Sequence, residues 1–140
     1  HILKDFKSKI KIYCSNANFN SEKINIDYNY LPKNCTLCGD CGCCKIELIE
    51  KYPTDRFYRV IIGDSLTDFP PSKVSDIVFA RGDLIKYLDE ENEVRGQRSE
   101  NREQRTEEKE KKIRYIQFET FYDIKNGLEK IIGEEKLVLN

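Results

Sequence analysis

Methionine is absent from the 140 residues, and histidine occurs once, at the first position. Without Met the sequence holds no initiator. Its opening, Ile2-Leu3-Lys4-Asp5-Phe6, reads as the end of a helix begun upstream. The expectation is a piece of a longer protein, from a partial chain or a truncated gene, and His1 needs no role at such a position. A surplus of positive charge is also missing, with 24 Lys and Arg against 25 Asp and Glu and a net charge of -1. Nucleic acid and anionic membranes both call for a basic field, so neither is an expected partner. No apolar run approaches the roughly 20 residues of a membrane span. The order of basic start, apolar stretch and small-residue cleavage site that marks secretion is absent too. What remains is a soluble chain, 39% hydrophobic and 35% charged, with room for one domain and a modest core.

Cysteine is present and crowded. Cys14 stands apart, while Cys35, Cys38, Cys41, Cys43 and Cys44 fall within ten residues. A secreted disulfide scaffold spreads its cysteines to staple distant loops. This crowding suits reduced thiols in the cytoplasm, or a metal site. Cys35, Cys38, Cys41 and Cys43 could surround zinc, which favours tetrahedral sulfur ligation. Zinc knuckles, however, usually pair two Cys-x-x-Cys strings across a longer span, and the second pair is missing. Reduced loop cysteines are the default, with structural zinc as the alternative.

Periodicity predicts an α/β layered architecture. Lys9 to Cys14 and Lys23 to Tyr28 alternate as strands, with a turn at Ser15 to Asn18 between them. Leu31 to Gly42 reads as an irregular loop. Cys44 to Tyr52 has helical spacing and stops before Pro53. Phe57 to Ile62 ends apolar and continuous, as a parallel strand buried on both faces would. A short helix at Pro70 to Ser75, a strand at Asp76 to Ala80 and a helix at Gly82 to Glu90 follow. Tyr115 to Phe118 is the last strand and Phe121 to Ile132 the last helix, with Tyr115, Phe118, Phe121 and Tyr122 expected in the core. The strand–helix alternation points to a parallel sheet with flanking helices.

Residues 92–112 have almost no apolar side chains, and Gln97-Arg98-Ser99-Glu100 is echoed by Gln104-Arg105-Thr106-Glu107. Such a tract cannot bury enough surface to offset its ordering entropy. It reads as a disordered insertion or a solvated extension of the preceding helix. Without it, Glu91 would run almost directly into Ile113. The expected organisation is therefore one core domain from 1–91 and 113–140, interrupted by a charged insertion at 92–112.

The chemistry concentrates after the Phe57 strand. Gly63-Asp64-Ser65-Leu66-Thr67-Asp68 lies at the carboxyl edge of the presumed sheet, where open α/β sheets bind ligands. Gly63 permits a sharp turn and close approach of a ligand. Asp64 and Asp68 together make a hard oxygen site suited to Mg²⁺. By itself this string is also compatible with an ordinary Asp-rich turn. Lys45 opens the helix that leads into this strand, where a cation beside a helix start can hold a phosphoryl group. Arg81 and Asp83 follow a strand end and could touch a substrate, with a loop salt bridge the favoured reading.

Cys41-Gly42-Cys43-Cys44-Lys45, the Gly63 to Asp68 loop and Ser75-Asp76-Ile77-Val78-Phe79-Ala80-Arg81 together resemble the third and fourth motifs of haloacid dehalogenase-type phosphatases. The likeness reaches upstream through Ile12 to Phe19 and downstream to Phe118 through Ile124. It implies the C-terminal part of a Rossmann-like fold and hydrolysis of a small phosphorylated metabolite with Mg²⁺. The cysteine string favours a methionine-salvage member over a phosphoserine-phosphatase-like one. Carried onto this chain, the resemblance implies that Lys45, Asp64 and Asp68 are catalytic. Lys45, Gly63 and Ser65 would bind phosphate, and Asp64 and Asp68 would bind the metal. Such enzymes form an aspartyl-phosphate on an Asp-x-Asp-x-Thr string. None occurs here, and Asp27-Tyr28-Asn29 is wrong in type and position. The chain alone is therefore expected to hydrolyse no phosphate ester. Two other readings compete: a zinc-binding interaction module, and a relic of a degraded gene. A receiver domain is disfavoured because its acidic residues precede its Lys.

Overall fold

The computed structural model describes residues 10–33, 35, 42–100 and 112–138, with the backbone alone at 98–100 and 134–138. The chain divides into two compact units, His1–Leu48 and Ile49–Asn140. The expected helix end at Ile2 to Phe6 lies outside the described residues.

The first unit is organised around an antiparallel hairpin of β1 (Asn16–Phe19) and β2 (Ile24–Asp27), with Asn16 opposite Asp27 and Phe19 opposite Ile24. The second strand falls where alternation put it. The first does not: Ile10 to Cys14 is irregular, and the expected turn at Ser15 to Asn18 is largely strand. Turn chemistry explains the shift. The Asn20 side chain accepts the N–H groups of Glu22 and Lys23 at 3.1 and 2.8 Å, and this fixes the reversal at 20–23. The hairpin register then follows from that turn. Tyr13 is left to pack edge-on against the Tyr30 ring, 5.3 Å between centroids. The unit closes with α1 (Lys45–Ile49), shorter than the predicted helix. The Glu47 carboxylate accepts the backbone N–H of Lys33 and Cys35, tying both residues to that helix.

The second unit is a three-stranded parallel sheet in the order β3 (Val60–Gly63), β4 (Ile77–Ala80), β5 (Tyr115–Gln117). A short α2 (Phe69–Ser72) precedes β4, α3 (Asp83–Glu100) follows it, and α4 (Phe121–Val138) follows β5. β3 starts three residues later than predicted because Phe57 N–H is spent on Pro53 O and Arg59 N–H on the Asp76 carboxylate. It is also not the strand buried on both faces. That strand is β4, where Val78, Phe79 and Ala80 are fully buried, whereas Ile62 in β3 is half exposed. β4 has a neighbour on each side, and β3 is an edge of the described sheet.

Period-2 alternation sends the β4 side chains to two cores. Val78 and Ala80 pack with Leu84 and Leu88 of α3 and with Ile113 on one face. Phe79 packs with Phe118 and with Ile124 of α4 on the other. Phe121 and Tyr122, expected inside, are about four-fifths exposed at 81% and 77%. Both lie in the first turn of α4, past the carboxyl ends of the strands, where no described strand covers them. That first turn is fixed by Asp123, whose carboxylate accepts the N–H groups of Glu119 and Thr120. These bonds hold the Asp123 carboxyl below its ordinary range.

α3 continues ten residues beyond its predicted end at Glu90. Residues 92–100 are thus the helical extension offered as one reading of the tract, while 101–111 lie outside the described residues. The helix is anchored on its inner side. Asn92 clamps Ile113, accepting its N–H at 2.7 Å and donating to its carbonyl at 3.0 Å. Glu91 accepts from Lys73 at 2.8 Å and from Arg95 at 2.9 Å. The Lys73 hydrogen bond, assisted by Arg95 against partial burial, lowers the Glu91 pKa from 4.5. Because the folded pKa is the lower one, this stabilisation is complete above pH 4.5 and is lost as pH falls through the folded value. Glu91→Gln should therefore cost about 0.5–1 kcal/mol at pH 7. The gap between wild type and variant should narrow steadily as pH is lowered below 4.5 in urea titrations, and a gap that stays constant would rule out the linkage. No helix among the described residues is long and apolar enough to cross a membrane.

Candidate functional site

β3 delivers the chain to the carboxyl edge of the sheet at Gly63. The segment from Ser65 then tightens into a 3₁₀ turn, Leu66–Asp68, closed by the Asp68 N–H on Ser65 O at 3.0 Å. One turn brings Asp68 back under its own entrance. Its carboxylate Oδ2 accepts the Asp64 backbone N–H at 3.2 Å, and the residue is buried. A Cβ on Gly63 would lie 2.6 Å from that Oδ2, so any side chain at 63 would displace the Asp68 carboxylate. The floor is completed by Ser72, whose hydroxyl donates to Asp68 O at 2.7 Å.

The opposite side of the loop is held by the segment after β4. Arg81 N–H donates to Gly63 O and Leu84 N–H to Asp64 O, each at 3.2 Å. Gly82 lies between them with φ +58°, in the left-handed region, and a Cβ there would stand 3.1 Å from Asp64 O. The Arg81 guanidinium lies 3.5 Å from Asp64 Oδ2 and 5.3 Å from the Phe118 ring centre. The Asp64 side chain is 56% exposed and faces outward.

The two aspartates thus differ in kind. Asp68 is an internal brace on the backbone, and Asp64 offers a carboxylate at the surface of the edge. This donor set fits magnesium, which keeps several waters and binds through one or two carboxylates plus substrate phosphate. Asp64 would hold the ion, and Asp68 would fix the loop that presents it. No group of three or more His, Cys, Asp or Glu among the described residues is arranged to enclose a metal.

Gly63, Asp64, Ser65 and Asp68 are brought together in this one loop, with Ser65 Oγ 3.2 Å from Thr67 Oγ1. Lys45 is the first residue of α1 and belongs to the other unit. Arg81 and Asp83 form salt bridges, the favoured reading, with Asp64 and with Lys86 respectively. The Lys86 bond holds the Asp83 carboxyl below its ordinary pKa. Of the zinc candidates, Cys35 and Cys43 are partly buried, and Cys38 and Cys41 lie outside the described residues. The pairing of Arg81 with Asp64 specifically was not foreseen. Nothing in a run ending Phe79-Ala80-Arg81 names its partner, since the contact depends on β3 and β4 lying in parallel register.

Fold and loop together define an α/β protein with a parallel sheet, flanking helices and an acidic loop at its carboxyl edge. No protein-family profile matches the chain. Individual proteins do. The chain is 33% identical over 131 residues to the 2-hydroxy-3-keto-5-methylthiopentenyl-1-phosphate phosphatase of Bacillus velezensis, covering 93% of this chain and 47% of that protein. It is 35% identical over 132 residues to the protein of the same name from Bacillus cytotoxicus, covering 94% and 50%. The Exiguobacterium sibiricum protein of that name is 34% identical over 130 residues, covering 91% and 49%. The chain spans about half the length of the curated relatives it matches. These similarities bear out the resemblance read from the Cys41 to Lys45 string and the Asp64 loop.

Proposed function

We propose that the chain supplies the cation-holding part of the active site of a magnesium-dependent phosphatase. The substrate would be 2-hydroxy-3-keto-5-methylthiopentenyl-1-phosphate, the compound in its relatives' names. The observation that carries this reading is the outward Asp64 carboxylate at the carboxyl edge, braced by Asp68 and bordered by Arg81, within a chain similar to those phosphatases along nearly its whole length. Magnesium, when bound, neutralises charge on the phosphoryl oxygens. Asp64 gives the ion an oxygen ligand. Ser65 presents a hydroxyl at the same edge as Asp64. A carboxylate nucleophile is still required, and no Asp-x-Asp-x-Thr string occurs in the 140 residues. By themselves, then, these residues turn over no phosphate ester.

Two measurements test this reading. Purified chain should show no magnesium-dependent hydrolysis of p-nitrophenyl phosphate. Turnover that disappears in Asp64→Asn would overturn the claim of inactivity. Mn²⁺, as a paramagnetic stand-in, should broaden the amide signals of 63–68 selectively, and Asp64→Asn should weaken that effect by at least about tenfold. Broadening centred elsewhere, or unchanged in the variant, would remove Asp64 as the cation ligand.

A further inference from the structure

The amino edge of the same sheet carries a second concentration of charge, at the opposite ends of the strands from Asp64. A cavity of about 580 Å³ opens there between the starts of β3, β4 and β5, lined among others by Tyr58, Asp76, Lys73, Arg95, Lys112 and Arg114. Among the described lining residues, four cations face one carboxylate. That carboxylate is already engaged, because Asp76 Oδ2 accepts the Arg59 N–H at 2.8 Å. Two of the cations, Lys73 and Arg95, share Glu91, one on each carboxylate oxygen. Among the described residues, and counting Glu91 with the lining, four positive charges meet two negative ones.

Lys112 and Arg114 carry the excess. Neither makes an ion pair with a described residue. Their placement is also fixed. Ile113 between them is buried, and both its backbone groups are clamped by the Asn92 side chain at 2.7 and 3.0 Å. In a chain entering a strand, alternate residues share a side. Burying Ile113 against α3 therefore turns Lys112 and Arg114 together toward the cavity they line. Two cations on a clamped segment, with an Arg able to bind an oxyanion by two parallel N–H groups, form a receptor for a compact dianion.

We infer that this amino-edge cavity is an anion site, taking a phosphate group either as inorganic phosphate or on a small metabolite. Lys112 and Arg114 are its direct ligands, and Lys73 and Arg95 supply the surrounding field. The site is separate from the Asp64 loop and does not depend on the phosphatase reading.

The probe is inorganic phosphate added without divalent cation to ¹⁵N-labelled chain, followed by NMR at constant ionic strength. Saturable shifts should centre on the amides of 112–115 and 73–76, and glycerol phosphate in a second titration should show whether an ester is also accepted. Lys112→Gln with Arg114→Gln should weaken binding at least tenfold, while Asp64→Asn leaves it unchanged. Both replaced side chains are exposed, so fold is expected to persist, and unchanged amide dispersion elsewhere checks it. Shifts scattered over surface lysines, shifts centred on 63–68, or full binding by the double variant would each overturn the assignment.

Discussion

Phe79→Ala should lower the unfolding free energy of the second unit by about 3–5 kcal/mol, the range for removing a buried aromatic ring from a core that cannot fully collapse. Phe79 is fully buried in the middle of the central strand. Its ring lies among Phe118, Ile124, Val60, Ile77 and Leu128, close against the α4 backbone, where a Cβ on Gly127 would come within 2.6 Å of Cε1. The cavity left by alanine would therefore be walled by a helix and two neighbouring strands. Domains of ordinary stability have about 5–15 kcal/mol in total, so this one ring decides whether the sheet survives mild denaturant. The measurement is urea unfolding followed by far-UV circular dichroism. Phe121→Ala is the control, being 81% exposed, and should change stability by less than about 0.5 kcal/mol. Equal losses in the two variants would refute the placement of Phe79.

Asp68→Ala should have the second largest effect, and it should separate the roles of the two aspartates. Removing the carboxylate takes away the acceptor of the Asp64 N–H, which costs about 1–3 kcal/mol if that group is left unsatisfied. The loop then loses the brace that holds Asp64 at the sheet edge. Mn²⁺ broadening of 63–68 should weaken along with stability. Asp64→Asn should instead lose cation binding with little change in stability, since its partner Arg81 is half exposed and such pairs contribute little. If both variants were equally destabilised, or if Asp68→Ala bound cation normally, the distinction between brace and ligand would fail.

Much of the second unit was legible in the sequence because its signals are local. The run Asp76-Ile77-Val78-Phe79-Ala80 marked β4 to within one residue, and the helical stretch from Gly82 marked the start of α3 to within one residue. The Gly63 to Asp68 string located the candidate site, since glycine followed by spaced carboxylates at a strand end is a short-range pattern. Other features were settled by partners distant in the chain. Alternation alone placed a strand at Lys9 to Cys14, but Asn20 fixed the reversal and moved the strand to Asn16–Phe19. Phe121 and Tyr122 are aromatic and helical, yet being outside the strands' reach decides their exposure.

By itself, then, the sequence determined the α/β class, the position of the acidic loop at a strand end and the likeness to phosphatases that share its motifs. These follow from side-chain periodicity and from residues adjacent in the chain. Only the tertiary structure decided that β4 rather than β3 is central. It also decided that Asp68 turns inward while Asp64 turns out to meet Arg81, and that Lys112 and Arg114 share a cavity with Lys73 and Arg95. Each of these depends on parallel register between strands as far as 37 positions apart, as between Val78 and Tyr115. Such pairing is set by the packing of both sheet faces, which no stretch of neighbouring residues encodes.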